Sequence, residues 1–422
     1  MKTWPFLLAV FASTLAGASA GADTRTYCYE LVFKDDRFDC PVTGDAGVRR
    51  ACQEDYYNWV NSPDGDYTHP VGGYLEIWDW DDSALSPDDY IGTWVIGGTG
   101  RRCVTFEWEG AAYANGESNP DLYVKWKSKV RATPGGPAVQ AVDLAGTEYG
   151  DVTWRAAHIT DCQSGSNCDQ PGYLLVSTDT TTERGGRVMA LDSSQHMLQV
   201  YWSLLDGDQI DMGWPAAGSA SIDRHYFEVD QTRADQAQSP AHELGHTLQK
   251  QLFGQDNLTN DCSLNGAGHS LTSTEFESCV TTEGWAGYVA AVSLWNPQTT
   301  GSAPARFGVD LEDGTPIEAV CADNTAIEAQ AVKGFWDLDD DPAEPVGAPA
   351  VNPDTNDSDT VFLAGLWANF ANGTSNREND ENDVNGVNLK DYYQNNSALF
   401  AFPLDAKQSL LSHNCMGTMD PN

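Results

Sequence analysis

Two imidazoles and a carboxylate stand together in His242-Glu243-Leu244-Gly245-His246, an H-E-x-x-H pentapeptide. On a helix, positions four apart share a face, so both rings can converge on a single cation. Glu243 points about 100° further round, where a carboxylate can take a proton from a water held at that cation. The chemistry open to such a set is hydrolysis by an activated water. It requires a helix, and the flanking residues predict one. Ser239-Pro240 offers an N-cap followed by an N1 proline. Ala241, Leu244, Leu248 and Leu252 recur at helical spacing and make one buried stripe. Gly245 lets a neighbouring element come close.

Two histidines do not complete a catalytic zinc site, which uses three protein ligands and keeps one position open. The metzincin extension needs glycine at 249 and histidine at 252, whereas the chain has Gln249 and Leu252. A downstream acid is then expected, and Glu275, Glu277 and Glu283 are the near candidates. Glu283 is favoured on packing grounds. Ala286, Gly287 and Ala290 follow it at i+3, i+4 and i+7, a small-residue stripe on the carboxylate's own face. Such a stripe lets a helix within 274–295 lie against the H-E-x-x-H helix. Glu277 sits about 240° away with no comparable stripe, and Glu275, closer in angle, stays as the reserve.

His242-Glu243-Leu244-Gly245-His246, taken with Glu283-Gly284-Trp285-Ala286, resembles the gluzincin branch of the HExxH zinc metallopeptidases, in which a Glu-Gly-x-Ala-type helix supplies the third ligand. The resemblance implies zinc held by His242, His246 and Glu283, with Glu243 as general base and a peptide or protein as substrate. Glu283 follows His246 by 37 positions, a longer interval than in thermolysin-like enzymes. The added length carries Cys262, Cys279 and the sequon Asn257-Leu258-Thr259, and reads as a stapled insertion. Peptide hydrolysis also needs a donor for the developing oxyanion. Members of the branch use a Tyr or His from a later element, and Tyr288, Tyr392, Tyr393 and His413 are available.

The elements that must position these helices fall into two stretches. Over 21–155, Leu75 and Ile77, then Val104, Phe106 and Trp108, then Leu122, Val124 and Trp126 alternate at period two. With turn signals between them, they predict an antiparallel β-sandwich domain. Over 156–422 the period changes. Val188, Leu191, Leu198, Trp202 and Leu205 fit one helical face, Ile222 to Val229 a short strand, and Leu363, Leu366, Trp367 and Phe370 a further amphipathic segment. The fold class predicted is α+β: an N-terminal antiparallel β-sandwich, then a mostly helical zincin-like metallopeptidase domain with a small sheet. Asp337 to Asp359 reads as a long loop.

Composition limits the function classes. The chain has 422 residues and a formal charge of −39, from 62 acidic and 23 basic residues. Such a surface repels phosphate backbones and anionic lipid, which argues against nucleic-acid and membrane partners. Residues 1–20 read as an export signal, with Lys2, an apolar run from Phe6 to Leu15, and Ala18-Ser19-Ala20 before the cut. A secreted, extracellular protein is expected. The ten cysteines then read as a disulfide framework whose connectivity the sequence leaves open, with Cys162 and Cys168 close enough for a small loop bridge and Cys262 and Cys279 placed to staple an insertion. No C-x-x-C pair supports a cysteine-ligated zinc.

Two weaker readings complete the set. Trp78-Asp79-Trp80-Asp81-Asp82 with Asp88-Asp89-Tyr90-Ile91-Gly92 resembles a segment of C2-type and transthyretin-like sandwiches, where aspartates can bind Ca²⁺; a solvated acidic loop is the favoured alternative. His69, His158, His196, His225 and His269 have no ligand spacing. The rival function is a non-catalytic secreted binding protein with a structural or vestigial zinc site. An intact Glu243 argues against it, since a structural site has no use for that base.

Overall fold

The computed structural model describes residues 23–34, 67–68, 73–81, 88–95, 101–108, 119–131, 136–154, 158–170, 174–177, 183–233, 238–256, 262, 270, 272–294 and 328–339. The export-signal segment, the segment around Leu363 to Phe370, and Cys40, Cys52, Cys321 and Cys415 lie outside them.

The strands, in chain order, are β1 (Asp23–Tyr29), β2 (Leu31–Lys34), β3 (Tyr67–Thr68), β4 (Gly73–Asp79), β5 (Asp89–Val95), β6 (Arg102–Trp108), β7 (Leu122–Arg131), β8 (Ala138–Val142), β9 (Val152–Thr153), β10 (Asn167–Asp169), β11 (Leu174–Ser177), β12 (Gln209–Ala216), β13 (Ala220–Ser221) and β14 (Tyr226–Asp230). The helices are α1 (Glu183–Tyr201), α2 (Gln238–Phe253), α3 (Glu277–Leu294) and α4 (Glu328–Asp339). Two three-stranded sheets, ordered β10-β1-β6 and β11-β2-β3, accompany an eight-stranded sheet ordered β13-β14-β12-β8-β7-β4-β5, with β9 on β7. The architecture is α+β, as expected.

The alternating segments read as strands are strands, and β7 shows why. Val124, Trp126 and Val130 turn inward and are fully buried, while Lys125, Lys127, Lys129 and Arg131 face outward at period two. On that outer face, Lys127 pairs with Glu76 at 3.2 Å and Asp151 at 3.5 Å, and the Lys125 ammonium lies 3.4 Å from the Trp78 ring centre. The inner face is covered by α1, which contacts β7, β8 and β12 on one side and α2 and α3 on the other. Helix α1 is therefore buried almost all round, and two of its serines are satisfied within the helix. Ser193 and Ser194 donate to the carbonyls of Met189 and Ala190 at 3.0 and 2.9 Å.

The large sheet draws its strands from both stretches. Pairing is antiparallel from β5 through β8 but parallel at β8–β12 and β12–β14. The Ile222–Val229 strand is β14, preceded by a turn, and it belongs to the same large sheet as β4 and β7. Among the described residues, the second half has no small sheet of its own. Its strands extend a sheet begun before residue 155, because α1 crosses the sheet face and delivers the chain to β12 parallel to β8.

Disulfides Cys162–Cys168 and Cys262–Cys279 form as expected. A third, Cys28–Cys103, joins residues that face each other across β1 and β6. Among the described residues no helix is long and apolar enough to cross a membrane.

Candidate metal centre

Helix α2 begins one residue before the expected cap at Ser239. It ends in a Schellman motif. Gly254 adopts φ +66°, its N–H reaches the Gln251 carbonyl, and the Gln255 N–H reaches that of Lys250. Ala241, Leu244 and Leu248 are fully buried, as the stripe predicts. Across from them lies α3. A Cβ added at Gly245 would meet Val289 Cγ2 at 2.8 Å and the Ala286 carbonyl oxygen at 3.2 Å. Gly245 is thus a point of close approach of the two helices.

The small-residue stripe on α3 divides its work. Ala286 faces α2, but Gly287 faces α4, where an added Cβ would lie 2.8 Å from Val332 Cγ2. Gly284 faces α4 still more tightly, 2.5 Å from Ala331 Cβ. Alanine Cβ has no rotamer with which to withdraw. Gly284→Val is therefore expected to push α3 from α4 and destabilise the protein by about 1–3 kcal/mol, read as a lowered thermal midpoint.

This crossing brings three donor atoms together. Nε2 of His242 and Nε2 of His246 lie 3.0 and 2.9 Å from Oε2 of Glu283 and 3.1 Å from each other. The rings stand edge to face with their centres 4.6 Å apart. Glu275 is not in this group. It is buried ahead of α3 and accepts the Ser273 hydroxyl at 3.2 Å. The side chain of Glu277 lies outside the described residues.

The three donors match the His₂Glu set of catalytic zinc sites. Tetrahedral ligation with bonds of about 2.0–2.1 Å places neighbouring ligand atoms about 3.3 Å apart, close to the spacings observed. The group is buried, with side-chain exposures of 17, 10 and 9% for His242, His246 and Glu283. Burial pulls the His246 imidazolium down, but the adjacent Glu283 carboxylate outweighs it and raises the pKa to about 9. Burial likewise pushes Glu283 up, yet the His246 charge and the contacts with both imidazoles hold it well below the ordinary carboxylate value.

Glu243 is buried on the same helix, at 9% exposure. Its charge acts on His246 and on Lys250. Burial lowers the Lys250 pKa. The Lys250 ammonium donates to the backbone carbonyl and hydroxyl of Ser221 on β13, the terminal strand of the large sheet. The Ser221 hydroxyl also lies 3.0 Å from that of Thr247.

Of the oxyanion candidates, Tyr288 is fully buried on α3, its ring 5.8 Å from that of Phe335 on α4. Tyr392, Tyr393 and His413 lie outside the described residues. Among the described residues, two further groups have ligand atoms within 4.8 Å of one another. One is Cys262, Cys279 and Glu283, in which the sulfurs are joined to each other. The other is the partly exposed trio Asp206, Asp208 and His225, which sequence spacing could not reveal because the loop after α1 and the turn before β14 meet only in the fold. In the acidic segment considered for calcium, Asp79 accepts the Asp121 N–H at 2.7 Å and Asp88 the Tyr123 hydroxyl at 2.7 Å. Among the described residues that segment contributes to no such group.

Residues 192–402, half of the chain, match the family model of the mycolysin C-terminal domain, and the chain belongs to that family. The family occurs in zinc metallopeptidases. The match includes α2, α3, α4 and all three convergent donors. No curated protein matches the chain. Among solved structures, a 9R-lipoxygenase from Cyanothece PCC8801 aligns at 15% identity with a TM-score of 0.19, covering 43% of this chain and 24% of the lipoxygenase. Likeness at that level carries no argument about fold or function.

Proposed function

We propose that the chain is a secreted zinc-dependent peptidase in which His242, His246 and Glu283 hold the metal and Glu243 is the general base. The convergence of two Nε2 atoms and one Oε2 within 3.1 Å, on helices meeting at Gly245, carries this reading. Membership of a family found in zinc metallopeptidases supports it. The disulfides fit an oxidising, extracellular setting.

When bound, zinc supplies Lewis acidity, lowering the pKa of a water toward ~7 and polarising the scissile carbonyl. The chain's own residues do the rest. His242 and His246 offer neutral Nε2 lone pairs from one helix face, and Glu283 offers an anionic oxygen from the facing helix. Glu243, one position after His242, receives the proton of the attacking water and passes it to the leaving amine. Its buried position strengthens the electrostatic contacts of that transfer.

Purified protein is expected to carry one zinc per chain by elemental analysis and to cleave members of a broad peptide library. Chelation should abolish cleavage and added zinc should restore it. A zinc-loaded protein that cleaves nothing in the library would instead support a non-catalytic binding protein.

A further inference from the structure

Gln249 is fully buried between α2 and α3, one turn beyond His246. Its side-chain amide has two contacts: Oε1 lies 2.8 Å from Nδ1 of His246, and Nε2 lies 2.9 Å from the backbone oxygen of Thr282. The second contact decides the first. A backbone carbonyl only accepts, so the amide nitrogen must face Thr282 and the amide oxygen must face His246. An amide oxygen also only accepts. Nδ1 of His246 must therefore carry a proton, which leaves Nε2, the nitrogen facing Glu283 and His242, as the one that can offer a lone pair to a metal. Thr282 immediately precedes Glu283, so the same amide ties the backbone of the carboxylate helix to the ring of the imidazole helix.

We infer that Gln249 is a positioning residue of the metal centre: it fixes the tautomer and angle of His246. This rests on the zinc reading above. In sequence terms, Gln249 first counts only as a mismatch to the metzincin pattern; in the fold it links two of the three donors. Partners of this kind typically change metal affinity 10–100-fold when removed.

The test compares zinc dissociation constants, by chelator competition, for the wild-type full chain, Gln249→Leu and Gln249→Glu. Leucine fills the space and makes neither hydrogen bond. Glutamate keeps the acceptor for Nδ1–H and loses the donor to Thr282. Gln249→Leu is expected to weaken zinc binding 10–100-fold, with far-UV circular dichroism unchanged. Gln249→Glu is expected to recover most of that loss. Zinc affinity in Gln249→Leu equal to wild type would overturn the inference, as would equal weakening in both variants. A Gln249→Leu protein that does not fold leaves Gln249→Glu to decide, since losing affinity there with the acceptor kept would also overturn it. Wild-type protein that binds no stoichiometric zinc would overturn the metal reading itself, an outcome separate from the other three.

Discussion

Glu243→Gln should retain zinc at full stoichiometry and lose peptide hydrolysis by about 10²–10⁴-fold in kcat/KM, the range for removing a positioned general base. The substitution keeps the shape of the side chain and removes only its capacity to take a proton. Glu243 is not among the convergent donors, so metal content should not follow activity. Its burial on α2 makes the isosteric change the appropriate one, because alanine would open a cavity beside His246. Activity preserved in Glu243→Gln would require a different base, and the mechanism proposed here would fall.

The second large effect is expected at Glu283. Glu283→Ala should weaken zinc binding by more than about 100-fold, beyond the range seen when outer partners of ligands are lost. The change removes one of three donor atoms and also leaves two buried imidazoles without their shared carboxylate. Glu275→Ala is the control. Glu275 is equally buried but lies away from the imidazoles, so its zinc affinity should stay within a fewfold of wild type. The reverse pattern, with Glu275 essential and Glu283 dispensable, would reassign the third ligand.

The convergence of the three candidate donors is legible in the sequence largely because its constraints are local. Helical spacing of His242, Glu243 and His246, the apolar stripe on α2 and the small residues after Glu283 all act within one or two turns. Gly245 was recognised as a point of close approach, and the structure puts Ala286 there. What could not be read depends on which element arrives opposite. Gly287 belongs to the stripe expected to face α2, yet it faces α4, as does Gly284. That helix was itself missed, although Ala329, Val332 and Trp336 fall at helical spacing and are buried. Gln249 carries no motif; its place follows from how α2 and α3 cross.

The sheet shows the same division. Alternation in β4, β6 and β7 predicts strands and says which face is buried. It does not say that β12 will pair parallel to β8, some 70 residues away in sequence, and so join strands assigned to separate domains. The Cys28–Cys103 bridge is hidden for this reason too, since it depends on the register of β1 on β6.

The bridge between Cys262 and Cys279 bears on how the carboxylate helix finds the imidazole helix. Along the backbone, Glu283 is 37 residues from His246, and crossing through sulfur bypasses the 17-residue span between the two cysteines. That roughly halves the contour, which loop-closure statistics value at only about 0.6 kcal/mol. Confining the unfolded chain counts for more, about 3 kcal/mol for a ring of this size in the chain-entropy account. The Cys262–Cys279 bond therefore serves this candidate site less by shortening the carboxylate's reach than by denying the denatured chain its freedom.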